Sequence, residues 1–282
     1  MTAPPGRFAV RPASEAVREA RTPMLGDKFR LRFEKAGVLR LLSHHDLMRV
    51  LERMLRRAGL PFKSTAGFHP GPRVVFAQSL PLGVVGRDEV VELELTEPRD
   101  SDAVLTGLNE QAPDGLRFAR ATVVPMKTTA MPRRIVYTLP LPADRAGGVG
   151  EACARLAAQA AVWVERVRPS PKGLNIRPYL RGVAVRDNVL SLDLWVTSTG
   201  TARADELLRL LGADDLLDAG CVLERTLVEL RDEAGAPADP TDTPPDGPAD
   251  TRPADPAYAA RAAFDQPAAA SGVAAPGDLS VE

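Results

Sequence analysis

The alternation of apolar and polar positions starts at Lys28. In KFRLRFEKAG, Phe29, Leu31 and Phe33 fall on one face and Arg30, Arg32 and Glu34 on the other, the pattern of a half-buried strand. A helix follows at Ser43, where Asp46 three positions on makes a variant capping box that places His44 and His45 in the first turn. At 100° per residue, Leu47, Val50, Leu51, Met54, Leu55 and Ala58 gather on one side and Arg49, Arg53, Arg56 and Arg57 on the other. Gly59 and Pro61 stop the helix. RVVFAQSLPLGV and DEVVELELTE then read as strands, SDAVLTGLNEQAP as a helix opened by Ser101 or Asp102, and LRFARATVVP as a closing strand. The short LPFKST reads as a further strand or an edge.

A second pass of the same pattern follows. RIVYTLPLP is strand-like and VGEACARLAAQAAVWVERV an Ala-rich helix. LNIRPYLRGVAVR and VLSLDLWVTS are strands joined at Asp187 and Asn188, a tight-turn pair. TARADELLRLLGA is a short helix that Thr201 would cap, and CVLERTLVELRD is the last strand. Two successive β-α-β-β-α-β units predict an α+β fold of tandem ferredoxin-like domains with antiparallel sheets, spanning 28–127 and 128–231.

The ends break the pattern. Residues 1–27 carry four prolines without apolar periodicity and read as a disordered leader. Residues 232–282 hold nine of the 26 prolines, with ten acids against two arginines, and read as a disordered acidic tail. The near-neutral whole therefore averages a tail of −8 with a body of +6, which hints at an anionic partner such as RNA. Cys153 and Cys221 have no CxxC or cluster spacing, which leaves a disulfide framework, a zinc ribbon and a cysteine-ligated iron–sulfur cluster unsupported; no cofactor is expected. With no long apolar run, the expectation is a cytoplasmic protein without membrane contact.

All three histidines lie within 26 residues. Adjacent helical residues point about 100° apart, so His44 and His45 are poorly placed to share a metal ion. Histidine among arginines is pushed toward the neutral form, so His44, His45 and Asp46 are candidates for general-base chemistry, with exposed or capping roles the plainer alternative. The arginine face is either a solvated face or a phosphate-binding one. His69 sits in TAGFHPGPR, a turn-rich loop that also presents Phe68 and Arg73 as binding candidates. In NIRPYLRG, Arg177 and Arg181 flank Tyr179, which would stack on a base or pack on the sheet. TSTGTARADELL places Arg203 at a helix start whose free N–H groups suit a phosphate, though without a Walker lysine. Glu92 and Glu94 alternate on one strand face and read as solvent-exposed.

The elements S-H-x-D-L, R-R-A-G-L-P, G-F-x-P-x-P and P-L-G-V, with the later NIRPYLRG and GTARADELLRLL, resemble the radical SAM-linked protein family, bacterial and of unknown function, over about Phe29 to Leu230. The resemblance implies a partner radical SAM protein encoded nearby, in the neighbourhood of an RNase E/G-type ribonuclease and ribosomal-protein genes. This chain has no CxxxCxxC, so radical chemistry would belong to that partner. The family commonly has Asn at the position of His69, which favours His44 or Asp46 over His69 for catalysis. The expectations are an RNA- or ribonucleoprotein-binding accessory of the enzyme, a protein-only adaptor, or a metal-independent endoribonuclease using SHHD.

Overall fold

The computed structural model describes residues 26–66, 68, 70–167, 170–233, 244 and 249–253. Residues 1–25 of the expected leader, most of the expected tail and His69 lie outside the described residues. The chain divides at Pro132/Arg133, Cys221/Val222 and Ala234/Gly235 into two compact units, each of mixed α+β structure.

In the first unit, β1 (Lys28–Lys35) lies between β3 (Val85–Glu94) and β4 (Leu116–Val124), antiparallel to both. The short β2 (Val74–Phe76) pairs antiparallel with β3 at Val91–Leu93. β10 (Glu224–Leu230) runs parallel to β3 through Glu224↔Val85 and Arg225↔Gly86. The sheet is therefore mixed, which corrects the expectation of a purely antiparallel one. Phe29, Leu31 and Phe33 face two helices, α1 (His44–Arg57) and α2 (Ser101–Glu110), and share a core with Leu47, Leu51, Leu55, Val104 and Leu108. Asp100, one residue before the expected start, caps α2 by accepting the Asp102 N–H at 2.9 Å.

The other sheet face departs from expectation. Glu92 is only 1% exposed and Glu94 7%, so these are not solvated carboxylates. Burial is tolerated because each is paired. Arg30 forks onto Glu92 at 3.0 and 3.2 Å, and Lys28 reaches the same carboxylate at 2.7 Å. Lys63 and Arg73 hold Glu94 at 3.1 and 3.2 Å. Asp232, the first residue of the expected tail, pairs with Arg30 at 2.8 Å. On the helix-facing side, in register with Phe33, Glu89 meets Arg225, which is fully buried: its Nε donates to Glu89 Oε1 at 2.7 Å and its Nη atoms to the Gln78 and Ser79 carbonyls at 3.1 Å.

The second unit contains β5 (Pro132–Pro140), α3 (Ala143–Ala157), β6 (Trp163–Arg166), β7 (Lys172–Asn175), β8 (Leu180–Arg186), β9 (Val189–Trp195), α4 (Ala204–Leu211) and the single turn α5 (Asp215–Asp218). β5, β9 and β8 form an antiparallel run in that order. Asp187 and Asn188 have φ of 51° and 57°, the left-handed pair that a two-residue hairpin turn requires. The Ala-rich helix starts earlier than the sequence suggests and ends at Ala157; Val162, Trp163 and Val164 belong to a strand, as their β-branched and aromatic side chains favour. Ile176–Pro178 breaks the expected long strand into β7 and β8, since Pro178 has no N–H for a ladder. β11 (Thr251–Pro253), within the segment expected to be disordered, adds to β7 in a separate sheet with β6.

No helix among the described residues is long and apolar enough to cross a membrane. Replacing Arg225 with Met leaves the Glu89 carboxylate buried and uncompensated, a loss of about 3–5 kcal/mol in urea unfolding. The double replacement Glu89→Met with Arg225→Met is expected to recover most of it.

Candidate nucleic-acid interface

The start of α1 is a closed polar knot. Ser43 Oγ accepts the Asp46 N–H at 3.2 Å and donates to Asp46 Oδ2 at 2.7 Å, while Arg49 donates to Oδ1 at 3.1 Å. The Ser43 hydroxyl, with Arg49 beside it, holds the Asp46 carboxyl below its ordinary range. His44 sets its ring edge-on against Phe76 at 4.9 Å, and His45 lies 6.0 Å from His44. Among the described residues no carboxylate hydrogen-bonds either imidazole, whereas an acid–base histidine is normally oriented by such a partner. The SHHD turn is built as a helix cap.

The arginines of α1 divide into held and unheld. Arg56 binds Glu52 at 2.8 Å and lies over the Phe62 ring at 5.1 Å. Arg49 is tied to Asp46, at an exposed site where such a pair holds little. Arg53 and Arg57 are exposed, with no carboxylate partner among the described residues. Arg49, Arg53 and Arg57 follow an i, i+4, i+8 stripe, each step rising about 6 Å along the axis. Buried Leu47, Leu51, Met54 and Leu55 fix the opposite face, and so keep this stripe toward solvent.

The loop after α1 closes on itself: the Thr65 N–H reaches the Gly71 carbonyl at 2.8 Å, and the Gly71 N–H reaches Thr65 Oγ1 at 3.2 Å. It lies against α1, since a Cβ on Gly71 would stand 4.0 Å from Glu52 Oε2. Phe68 on this loop is fully exposed, a ring available for stacking. Arg73 extends to Glu94, and His69 is outside the described residues. The structure thus brings together the arginine stripe, Phe62 and the loop that carries Phe68.

The second unit carries four candidates, and three of the four have structural work. Arg177 caps α3, donating to the Gln159 and Ala157 carbonyls at 3.1 and 3.3 Å. Tyr179 is 1% exposed, with its hydroxyl 3.4 Å from Thr199, so its ring has no free face for a base. Arg181 binds Asp193 at 2.6 Å. At the start of α4, Glu206 takes the Arg203 N–H at 3.0 Å and binds Arg166 at 2.7 Å, so a carboxylate fills the place a phosphate would need. Thr201 instead donates to the Trp195 carbonyl at 2.8 Å. Arg203 itself is exposed.

Sequence reasoning passed over three exposed apolar residues near the foot of α1: Val38, Leu41 and Leu82 at 75, 60 and 67% exposure. Their segments are joined by the Gly83 N–H to Arg40 carbonyl bond at 2.9 Å. The signal was present in PLG, where a leucine held between proline and glycine has no strand face to point from.

Because the folded carboxyl of Asp46 titrates below its unfolded value of about 3.9, its contribution is present above that pH and lost as pH falls through the folded value. Asp46→Asn is therefore expected to be less stable than the native chain at neutral pH. The gap should close on acidification, as followed by thermal unfolding from pH 7 to 2.5.

A crystal structure of an unknown protein from Galdieria sulphuraria aligns with 71% of this chain and 97% of its own, at 9% identity and a TM-score of 0.24. A putative glycine cleavage system transcriptional repressor aligns with 73% of this chain and 100% of its own, at 10% identity and a TM-score of 0.21. No curated protein matches the chain. Residues 28–206 match the family described as an uncharacterized protein conserved in bacteria (DUF2344), and since the match takes in most of the chain, the protein belongs to that family.

Proposed function

We propose that the chain is an accessory RNA- or ribonucleoprotein-binding protein that acts with a separately encoded radical SAM enzyme in RNA or ribosome modification or processing. The observation that carries the RNA part is the exposed stripe Arg49, Arg53 and Arg57 beside the loop of Phe68. Exposed arginines at a regular spacing, Arg53 and Arg57 without a carboxylate partner among the described residues and Arg49 paired only with Asp46, suit a phosphate backbone, and a free aromatic ring suits an unstacked base. The partner enzyme rests on the resemblance of the SHHDL and GFHPGP segments to the radical SAM-linked family. The strand order β4-β1-β3, with β2 on the far edge of β3 and both helices on one face, supports reading the first unit as ferredoxin-like.

A second reading, a protein-only adaptor of the same enzyme, draws on Val38, Leu41 and Leu82, since exposed apolar residues serve a protein contact better than a nucleic acid. The two separate on the purified complex: an absorbance ratio showing co-purified nucleic acid supports the first, and its absence from a stable complex supports the second.

Fluorescence anisotropy of the full chain with a labelled single-stranded RNA tests the RNA reading. Binding should weaken with salt, and replacing Arg49, Arg53 and Arg57 by Glu should flatten the log–log slope by about 2, at about 0.7 per lost phosphate contact. Phe68→Ala should cost about 1–3 kcal/mol with the slope unchanged. Native affinity in both variants would remove the proposal.

A further inference from the structure

The small sheet of the second unit holds an arrangement that the RNA reading does not use. β6 and β7 pair with Glu165 opposite Gly173, and β11 pairs with β7 with Arg252 opposite Gly173. Glu165, Gly173 and Arg252 therefore form one row across three strands. The middle position has no side chain, so the arginine stem crosses β7 and reaches Glu165 at 3.1 Å. Its guanidinium lies over the Trp163 ring at 4.7 Å, two residues along β6 on the same face.

Gly173 is required here for space and not for backbone freedom. A Cβ at that position would stand 2.6 Å from Arg252 Cγ and 2.7 Å from its Nε, whereas Gly173 does not have positive φ. The backbone fits equally closely. The Asn175 N–H donates to the Asp250 carbonyl at 2.9 Å; by antiparallel alternation Arg252 and Gly173 form the next hydrogen-bonded pair, and Pro253 turns its N–H-less nitrogen away from β7. Covering a sheet edge needs only backbone. A ring, a carboxylate and a deliberate gap together read one side chain, arginine.

We infer that the β7 edge is a strand-addition site selective for an arginine in an extended segment, filled in the free chain by its own Thr251–Pro253 and open to exchange with such a segment on a partner protein. The resident occupant is suited to displacement: it pairs over three residues, all of them exposed. The incoming segment supplies the same chemistry, an extended backbone with arginine opposite Gly173 and no bulky residue on the Trp163 face.

The test uses the full chain and a fluorescein-labelled peptide with the sequence of residues 248–255, without RNA, so it is independent of the RNA reading. Arg252→Glu sets a carboxylate against Glu165 and empties the socket. That variant should bind the peptide at least tenfold more tightly than the native chain, whose tethered segment competes at high effective concentration. Alanine in place of the peptide's arginine should abolish binding, and so should Gly173→Ala added to Arg252→Glu. Circular dichroism on each variant confirms the fold, and quenching of Trp163 fluorescence by the peptide gives a second readout. Equal binding by the native chain and Arg252→Glu, no binding by either, or indifference to Gly173→Ala or to the peptide's arginine would overturn the inference. Concentration-dependent dimerisation of the native chain lost in Arg252→Glu would make the occupant a second copy and overturn it as well.

Discussion

Arg225 and Glu89 impose the condition that the first unit is built around. Neither is exposed beyond 1%, and neither tolerates the loss of the other. Through one guanidinium the unit gathers a strand from late in the chain, the middle of β3 and the Gln78–Ser79 carbonyls that precede PLG. A one-residue slip of β10 against β3 would carry Arg225 to the opposite face and bury two unpaired charges. The ion pair thus specifies register, which generic apolar contacts would leave loose.

The same rule governs the opposite face of that sheet. Lys28, Arg30 and Arg32 are matched by Glu92, Asp88, Asp232 and Glu233. These charges are committed to folding and unavailable to a ligand. The arginines of α1 differ in kind: their helix is anchored by its other face, their carboxylate neighbours are few, and water surrounds them. A charge count of the whole chain cannot separate these groups, which is why near-neutrality says so little about binding.

Local signals were the legible ones. The Ser43 cap, the apolar stripe of α1, the Asp187–Asn188 turn and the alternation of β1 each depend on a few neighbouring residues, and each is found where the pattern put it. What the sequence hid depends on distant partners. Arg30 and Glu92 alternate as solvent-facing residues do, and only their cross-strand register and the reach of Asp232 make them interior. Tyr179 between two arginines has the composition of a base-stacking site, yet its ring is core and Arg177 holds the end of α3. Thr251–Pro253 offers no apolar pattern at all; the strand forms because Trp163, Glu165 and Gly173 receive Arg252. Of the candidate site, the arginine stripe was legible as a periodicity, while its adjacency to the Phe68 loop required the Gly71–Glu52 approach.

The proposed function requires that the charges left over from folding, on α1 and beside its loop, meet RNA. Ultraviolet crosslinking of the full chain to single-stranded RNA, with the attached peptides identified by mass spectrometry, tests it most directly. Crosslinks are expected at Phe68 and on peptides of 44–57. Crosslinks confined to 177–181 or 203–211, or none at all under conditions where binding is seen, would contradict it.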